Sequence, residues 1–268
     1  MLVTFLITFR EALEGFLLVG ILLAYLGRIG GQSYAPWIFA GVGAGLLTAL
    51  AAAFVLQVVV DQFNDQLYRA VVTAAIMLIA FGILTYMAVW MHKQSKAHTE
   101  HAKEQLKNYI TTHNVVGIAA LAFVSVLREG IETVLFLSAL SYSGGDVSVI
   151  GGLTGLAAAL VMIYLLITGA RRVPLGLFFR YSSLLLIVIA AGLLGSAVNT
   201  LQSAGLAPGP TKPLFDISGV LSDTSGIGIF LRGLFGYNAT PTPPQFALWA
   251  VYLVVAIAIW WRGYAQKA

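Results

Sequence analysis

Six charged side chains stand where charge is expensive. Arg10, Glu11 and Glu14 lie in Phe9-Arg10-Glu11-Ala12-Leu13-Glu14, and Arg128, Glu129 and Glu132 lie in Leu127-Arg128-Glu129-Gly130-Ile131-Glu132. Both stretches are Arg-Glu-x-x-Glu signatures in the middle of a long apolar run. At the centre of a membrane helix an ionised residue costs roughly 2.5–3.5 kcal/mol on insertion scales. Such residues persist when they meet one another or a bound cation. Glutamates three apart share one face of a helix, so each signature presents two carboxylates together. Carboxylate oxygens are hard ligands, suited to cations such as Fe, Mn, Mg or Ca. Glu11, Glu14, Glu129 and Glu132 are therefore the candidate metal ligands. Thr8 and Ser125, a turn earlier on about the same faces, offer hydroxyl oxygens in support. Arg10 with Glu14, and Arg128 with Glu132, are spaced i,i+4 and can pair when the site is empty. Four carboxylates and two guanidinium groups sum to −2, the charge a divalent cation neutralises. Protonation of crowded carboxylates lowers that charge, which leaves a trivalent ion open.

The elements that position these groups must cross a membrane. Of 268 residues, 59% are hydrophobic and only 10% charged, and the mean hydropathy is +0.89. A soluble domain carries about 25% charged residues, so the composition is that of an all-α polytopic membrane protein. Seven transmembrane helices are expected, at about 2–26, 36–60, 67–91, 115–140, 147–169, 175–198 and 246–262. The chain divides accordingly into a first three-helix unit (1–91), a cytosolic loop (92–114), a second three-helix unit (115–198), an outer loop (199–245), and a seventh helix with a cytosolic tail (246–268). The first helix is read as retained, because Arg10, Glu11 and Glu14 fall where a signal peptide would be uncharged. Absence of cysteine excludes disulfides, thiolate metal sites and iron–sulfur ligands. A membrane enzyme would need a nucleophile–base pair, a midmembrane aspartate pair or a His-Glu-x-x-His motif. The sequence has none of these and no Walker-type phosphate loop, so neither catalysis nor ATP use is expected.

Orientation follows from the basic residues. Arg28, Lys93, Lys96, Lys103, Lys107, Arg171, Arg172, Arg262 and Lys267 fall on one side, against Arg69, Lys212 and Arg232 on the other. The positive-inside rule places the N-terminus outside and the C-terminus inside a plasma membrane, here a bacterial cytoplasmic membrane. The net charge of +4 is thus loop-borne and gives no reason to expect nucleic acid; the polymeric neighbour is membrane lipid. Acidic residues show the opposite bias. Asp61, Asp65, Asp146, Asp216 and Asp223 face outward, and an acidic mouth concentrates cations. Asp61 and Asp65, at the outer end of helix 2, and Asp216 and Asp223, in the long outer loop, are candidates for receiving the ion. His98, His101 and Glu104, three apart in the cytosolic loop, are candidates for receiving it on exit.

An internal repeat refines this picture. The signatures are offset by 118 residues, whereas Gly41-x-x-x-Gly45-Leu46 matches Gly151-x-x-x-Gly155-Leu156 at an offset of 110. Ile79-Ala80-Phe81-Gly82 matches Ile189-Ala190-Ala191-Gly192 at the same 110. Three helices per copy means that the second copy enters the membrane from the opposite side. Two inverted three-helix repeats plus a seventh helix are therefore expected, a plan common among secondary transporters, with the site at the repeat interface. The glycine pairs read as close helix-packing faces.

The paired signatures resemble those of the oxidase-dependent iron permeases, a family found in fungi as high-affinity iron permeases and in bacteria as permeases of an elemental-iron uptake system. Its Arg-Glu-Gly-Leu-Glu pattern stands here as Arg10-Glu11-Ala12-Leu13-Glu14 and Arg128-Glu129-Gly130-Ile131-Glu132, and the departures fall at non-ligand positions. The stretch from Pro213 through Asp216 and Ser218 to Asp223 and Ser225, followed by Gly233-Leu234-Phe235-Gly236-Tyr237, resembles the bacterial branch. The resemblance implies inward movement of iron, with the signature glutamates as ligands, iron as substrate and no organic cofactor. It further implies an extracytoplasmic partner, such as an iron oxidase, peroxidase or iron-binding protein. Without it, the residues alone are equally compatible with another divalent-cation or cation/proton transporter.

Overall fold

The computed structural model describes residues 1–62, 65–168, 175–224 and 226–265, with backbone alone at 90–101, 175–177, 179, 234 and 263–265. Arg171, Arg172 and Lys267 lie outside the described residues. Eight α-helices follow in order: α1 (Leu2–Arg28), α2 (Ala35–Asp61), α3 (Gln66–Thr111), α4 (Val115–Tyr142), α5 (Val149–Ile167), α6 (Leu175–Ser203), α7 (Ile227–Phe235) and α8 (Pro243–Ala265). A single 3-10 turn, Gln32–Tyr34, joins α1 to α2, and there is no strand among the described residues.

Local chemistry sets the helix ends. Pro36 sits in the first turn of α2, where its missing N–H costs nothing. The Asp65 side chain accepts from Leu67 N at the start of α3, Asn114 from Gly117 N on α4, and Ser148 from Gly151 N on α5. Gly236, at φ +64°, closes α7 in the left-handed conformation.

Among the described residues, five helical segments are long and apolar enough to cross a membrane, over Gln32–Asp61, Gln66–Val89, Val149–Ile167, Arg180–Ser203 and Pro243–Arg262. Helices α1 and α4, 27 and 28 residues long, have the length for a crossing, but each carries three charges near its middle. Those charges are the two signatures.

Two expected loops are corrected. The segment foreseen as a cytosolic loop over 92–114 is helical as far as Thr111, so α3 runs for 46 residues. Hydropathy registers its polar composition but misses the helical spacing of Ala102, Leu106, Tyr109 and Ile110. These pack on Leu22, Leu26, Ile38 and Ile118, beside the C-terminal end of α1 and the N-terminal end of α2. The outer loop is shorter than foreseen because α6 continues to Ser203, and it contains the short helix α7.

Helices of the first unit pack mainly on helices of the second. Helix α1 lies on α5 and α4, α2 on α4, and α3 on α6 and α4, whereas α1, α2 and α3 touch one another only sparsely. Glycines permit the closest of these contacts. A Cβ at Gly41 would stand 2.1 Å from the Ala119 carbonyl oxygen of α4, and one at Gly45 would stand 3.0 Å from that of Phe123. On α5, a Cβ at Gly151 would stand 2.5 Å from the Met1 oxygen, and one at Gly155 would stand 2.7 Å from that of Phe5. Ala119 and Phe123 follow Met1 and Phe5 by 118 residues, the spacing that separates the two signatures.

Candidate metal centre

Helices α1 and α4 meet at their signatures. One carboxylate oxygen each from Glu11, Glu14 and Glu129 lies within 4.8 Å of the others, and this is the only such acidic or histidine cluster among the described residues. Glu11 and Glu14 come from successive turns of α1, and Glu129 reaches across from α4. Gly15 lies beside that reach, where a Cβ would stand in ordinary contact, 3.6 Å from Glu129 Cγ.

Arginines hold the acids. Arg10 Nη1 donates to Glu11 Oε1 at 2.5 Å, and Arg10 Nη2 stands 2.8 Å from Glu14 Oε1. Arg10 Nη1 also faces Met87 Sδ of α3 at 3.9 Å. On α4, Arg128 Nε donates to Glu132 Oε1 at 3.0 Å and lies 3.8 Å from Glu129 Oε1. The carboxylates are buried, yet the arginines cannot satisfy all their oxygens. Glu11 Oε2, Glu14 Oε2, Glu129 Oε2, Glu132 Oε2 and Thr8 Oγ1 are buried without a hydrogen bond. An ionised oxygen in that condition carries a desolvation cost that a coordinated cation would remove.

The structure thus brings together three of the four expected glutamates. Glu132 is buried beside them but turned to Arg128, outside the three-oxygen cluster. The Ser125 hydroxyl donates to the Leu121 carbonyl of its own helix at 2.7 Å, whereas Thr8 Oγ1 remains unsatisfied.

The outer aspartates are not gathered into a cluster. Asp61 accepts from Gln57 at 3.0 Å and lies 3.9 Å from Arg69, and Asp65 caps α3. Asp216 accepts from Ser218 Oγ at 2.6 Å and Ser218 N at 2.9 Å. Those two bonds hold its carboxyl below the usual carboxylate range. Asp223 lies 3.5 Å from Arg232, which donates from Nε to the Ser143 carbonyl and so ties the outer loop to the end of α4. Of the residues expected to receive the ion on exit, Glu104 is exposed, and the side chains of His98 and His101 lie outside the described residues. Sequence reasoning missed Met87, which nothing local marks and which reaches Arg10 only through the packing of α3.

An all-helical membrane protein with a carboxylate cluster buried between two helices defines a class, the membrane permeases that carry a cation. Residues 1–266 match the Iron permease FTR1 family, and the chain belongs to it. It is 32% identical over 262 residues to the ferrous iron permease EfeU of Yersinia pestis, an alignment spanning 97% of this chain and 93% of that relative. To the ferrous iron permease EfeU of Escherichia coli O6:K15:H31 it is 33% identical over 267 residues, spanning 96% and 94%. The protein of that name in Yersinia pseudotuberculosis serotype I is 32% identical over 260 residues, spanning 96% and 91%. No solved structure matches the chain.

Proposed function

We propose that this protein carries iron inward across the cytoplasmic membrane, binding it at the meeting of α1 and α4 with the four signature glutamates as ligands. One observation carries the reading: oxygens of Glu11, Glu14 and Glu129 converge within 4.8 Å, deep among apolar helices, with carboxylate oxygens left unsatisfied around them. Iron as cargo accords with the family. Ferrous iron accords with the names of the relatives and with the −2 balance of the six charged side chains.

The membrane plan that goes with this function has seven spans, the five apolar helices together with α1 and α4, whose charges are paired with one another. It is an inverted repeat of α1–α3 and α4–α6 with α8 added. The matched glycine contacts of α2 on α4 and α5 on α1 support it. The N-terminus is outside and the C-terminus inside. Iron is delivered from outside by an oxidase, peroxidase or iron-binding protein. The outer loop offers it a surface, since Leu214, Ile217, Val220 and Ile227 are exposed there.

Uptake of radiolabelled ferrous iron in a permease-deficient strain tests the central claim. Glu11→Gln and Glu129→Gln are expected to reduce uptake to the background of the empty strain while leaving the protein in the membrane. Wild-type uptake by both variants would overturn the assignment of the site.

A further inference from the structure

We propose that Arg128 is a positioning residue that withholds Glu132 from the metal and yields it when the cation arrives, whereas Arg10 is a fixed counter-ion. The proposal rests on the reading of the glutamate cluster as the iron site.

The two signatures have the same i,i+4 pair with opposite outcomes. Arg10 holds Glu14 at 2.8 Å, and Glu14 stays inside the three-oxygen cluster. Arg128 holds Glu132 at 3.0 Å, and Glu132 is outside it, with Oε2 buried and unbonded. The arginines also differ in their freedom to move. The Arg10 side chain is 5% exposed, fixed between two carboxylates and Met87. The gap beside it, about 30 Å³ and lined by Leu6, Phe9, Phe178 and Leu185 among others, holds a water at most and no guanidinium. The Arg128 side chain is 45% exposed, flanked on the α4 surface by exposed Val124 and Ile131. Its only ion-pair partners among the described residues are Glu132 at 3.0 Å and Glu129 at 3.8 Å on its own helix, so it can stay paired with Glu129 when Glu132 leaves.

Charge bookkeeping makes the exchange neutral. Glu11, Glu14 and Glu129 with Arg10 sum to −2, and Arg128 with Glu132 is a neutral pair alongside. With a divalent ion present, the six side chains and the ion sum to zero. Glu132 can therefore pass from Arg128 to the metal with no change in net charge. Competition between Arg128 and the metal for one carboxylate keeps binding weak enough for the ion to leave, as permeation demands.

The test combines equilibrium binding of ferrous iron to the purified full-length protein with initial uptake rates in proteoliposomes. Arg128→Gln is expected to bind iron about tenfold more tightly and to transport it about tenfold more slowly at saturation, the scale of supporting-residue effects on metal affinity. Arg128→Lys is expected to restore much of the wild-type rate. A residue that merely stabilised the fold would lower affinity and rate together, and that result, or unchanged affinity, overturns the proposal. Glu132→Gln keeps Arg128 in place and decides the matter even if Arg128→Gln does not fold. Loss of one charged ligand is expected to weaken binding roughly tenfold, and unaltered binding would refute the hand-over. Failure of the underlying site is distinguishable, because Glu11→Gln would then bind iron as the wild type does.

Discussion

Helices α1 and α4 carry the same charge pattern, and each is clasped at the same register by a glycine pair from the opposite unit, α5 on α1 and α2 on α4. They differ on the flank away from the clasp. Beside Arg10 stand Met87 of α3 and the Phe178–Ile189 face of α6. Beside Arg128 the α4 surface is open. The matched glycine notches further along repeat the inequality. Gly192 on α6 receives the Gly236 cap of α7, with Gly236 N 2.6 Å from where its Cβ would be, whereas the corresponding Gly82 on α3 has open space. The backbone clasp is thus shared and the lateral cover is not. Inequality of this kind gives the two signatures different access to their surroundings.

The largest effects test the shared part of the site. Glu11→Ala and Glu14→Ala are expected to lower iron uptake on the order of a hundredfold, and Glu132→Ala only about tenfold, because Glu132 sits outside the resting cluster. Equal losses in all three, read as initial rates of labelled iron uptake, would break the distinction between the two halves. Next come the clasps. Gly41→Ala and Gly151→Ala each press a methyl into a backbone oxygen, at 2.1 Å and 2.5 Å. Each is expected to cost roughly 1–3 kcal/mol, seen as matching falls in thermal unfolding temperature in detergent. A loss in one alone would show that the clasps are unequal.

Smaller effects probe the unequal flanks. Gly82→Ala is expected to stabilise by about 0.5–1 kcal/mol, since a mid-helix glycine with open space gains from a methyl. Gly192→Ala is expected to destabilise, because Gly236 occupies that space. The same unfolding assay checks the opposite signs. Smallest of all, Asp223→Asn removes a half-exposed ion pair with Arg232 and should change stability by about 1 kcal/mol or less.

Much of the site was legible before the structure. Two Arg-Glu-x-x-Glu stretches in apolar helices, within a repeat that the glycine pairs also mark, pointed to α1 and α4 meeting at their carboxylates. Spacing places Glu129 and Glu132 on one face, but it cannot say that one points to α1 and the other to Arg128. That choice depends on side-chain torsions. The extension of α3 was hidden for a different reason. Its Lys, His and Glu residues resemble a loop to a hydropathy window, although Ala102 and Leu106 bury one side of it. The outer aspartates looked alike in sequence, yet Asp65 serves as a cap, Asp216 closes a turn and Asp223 is a clamp. Such roles are set by bonds to neighbours that composition does not encode.

The crossing of partners between the two units bears on how the protein is made. Helix α1 finds its closest packing against α5, whose first residue, Val149, lies 121 positions beyond Arg28 at the end of α1. At synthesis rates of roughly 5–20 residues per second, α1 waits about 6–24 s for that partner. Until α4 brings its own signature, Arg10, Glu11 and Glu14 have only one another for compensation. On the proposed seven-span plan, their pairing within a single helix is a requirement of membrane insertion, met before any iron is bound.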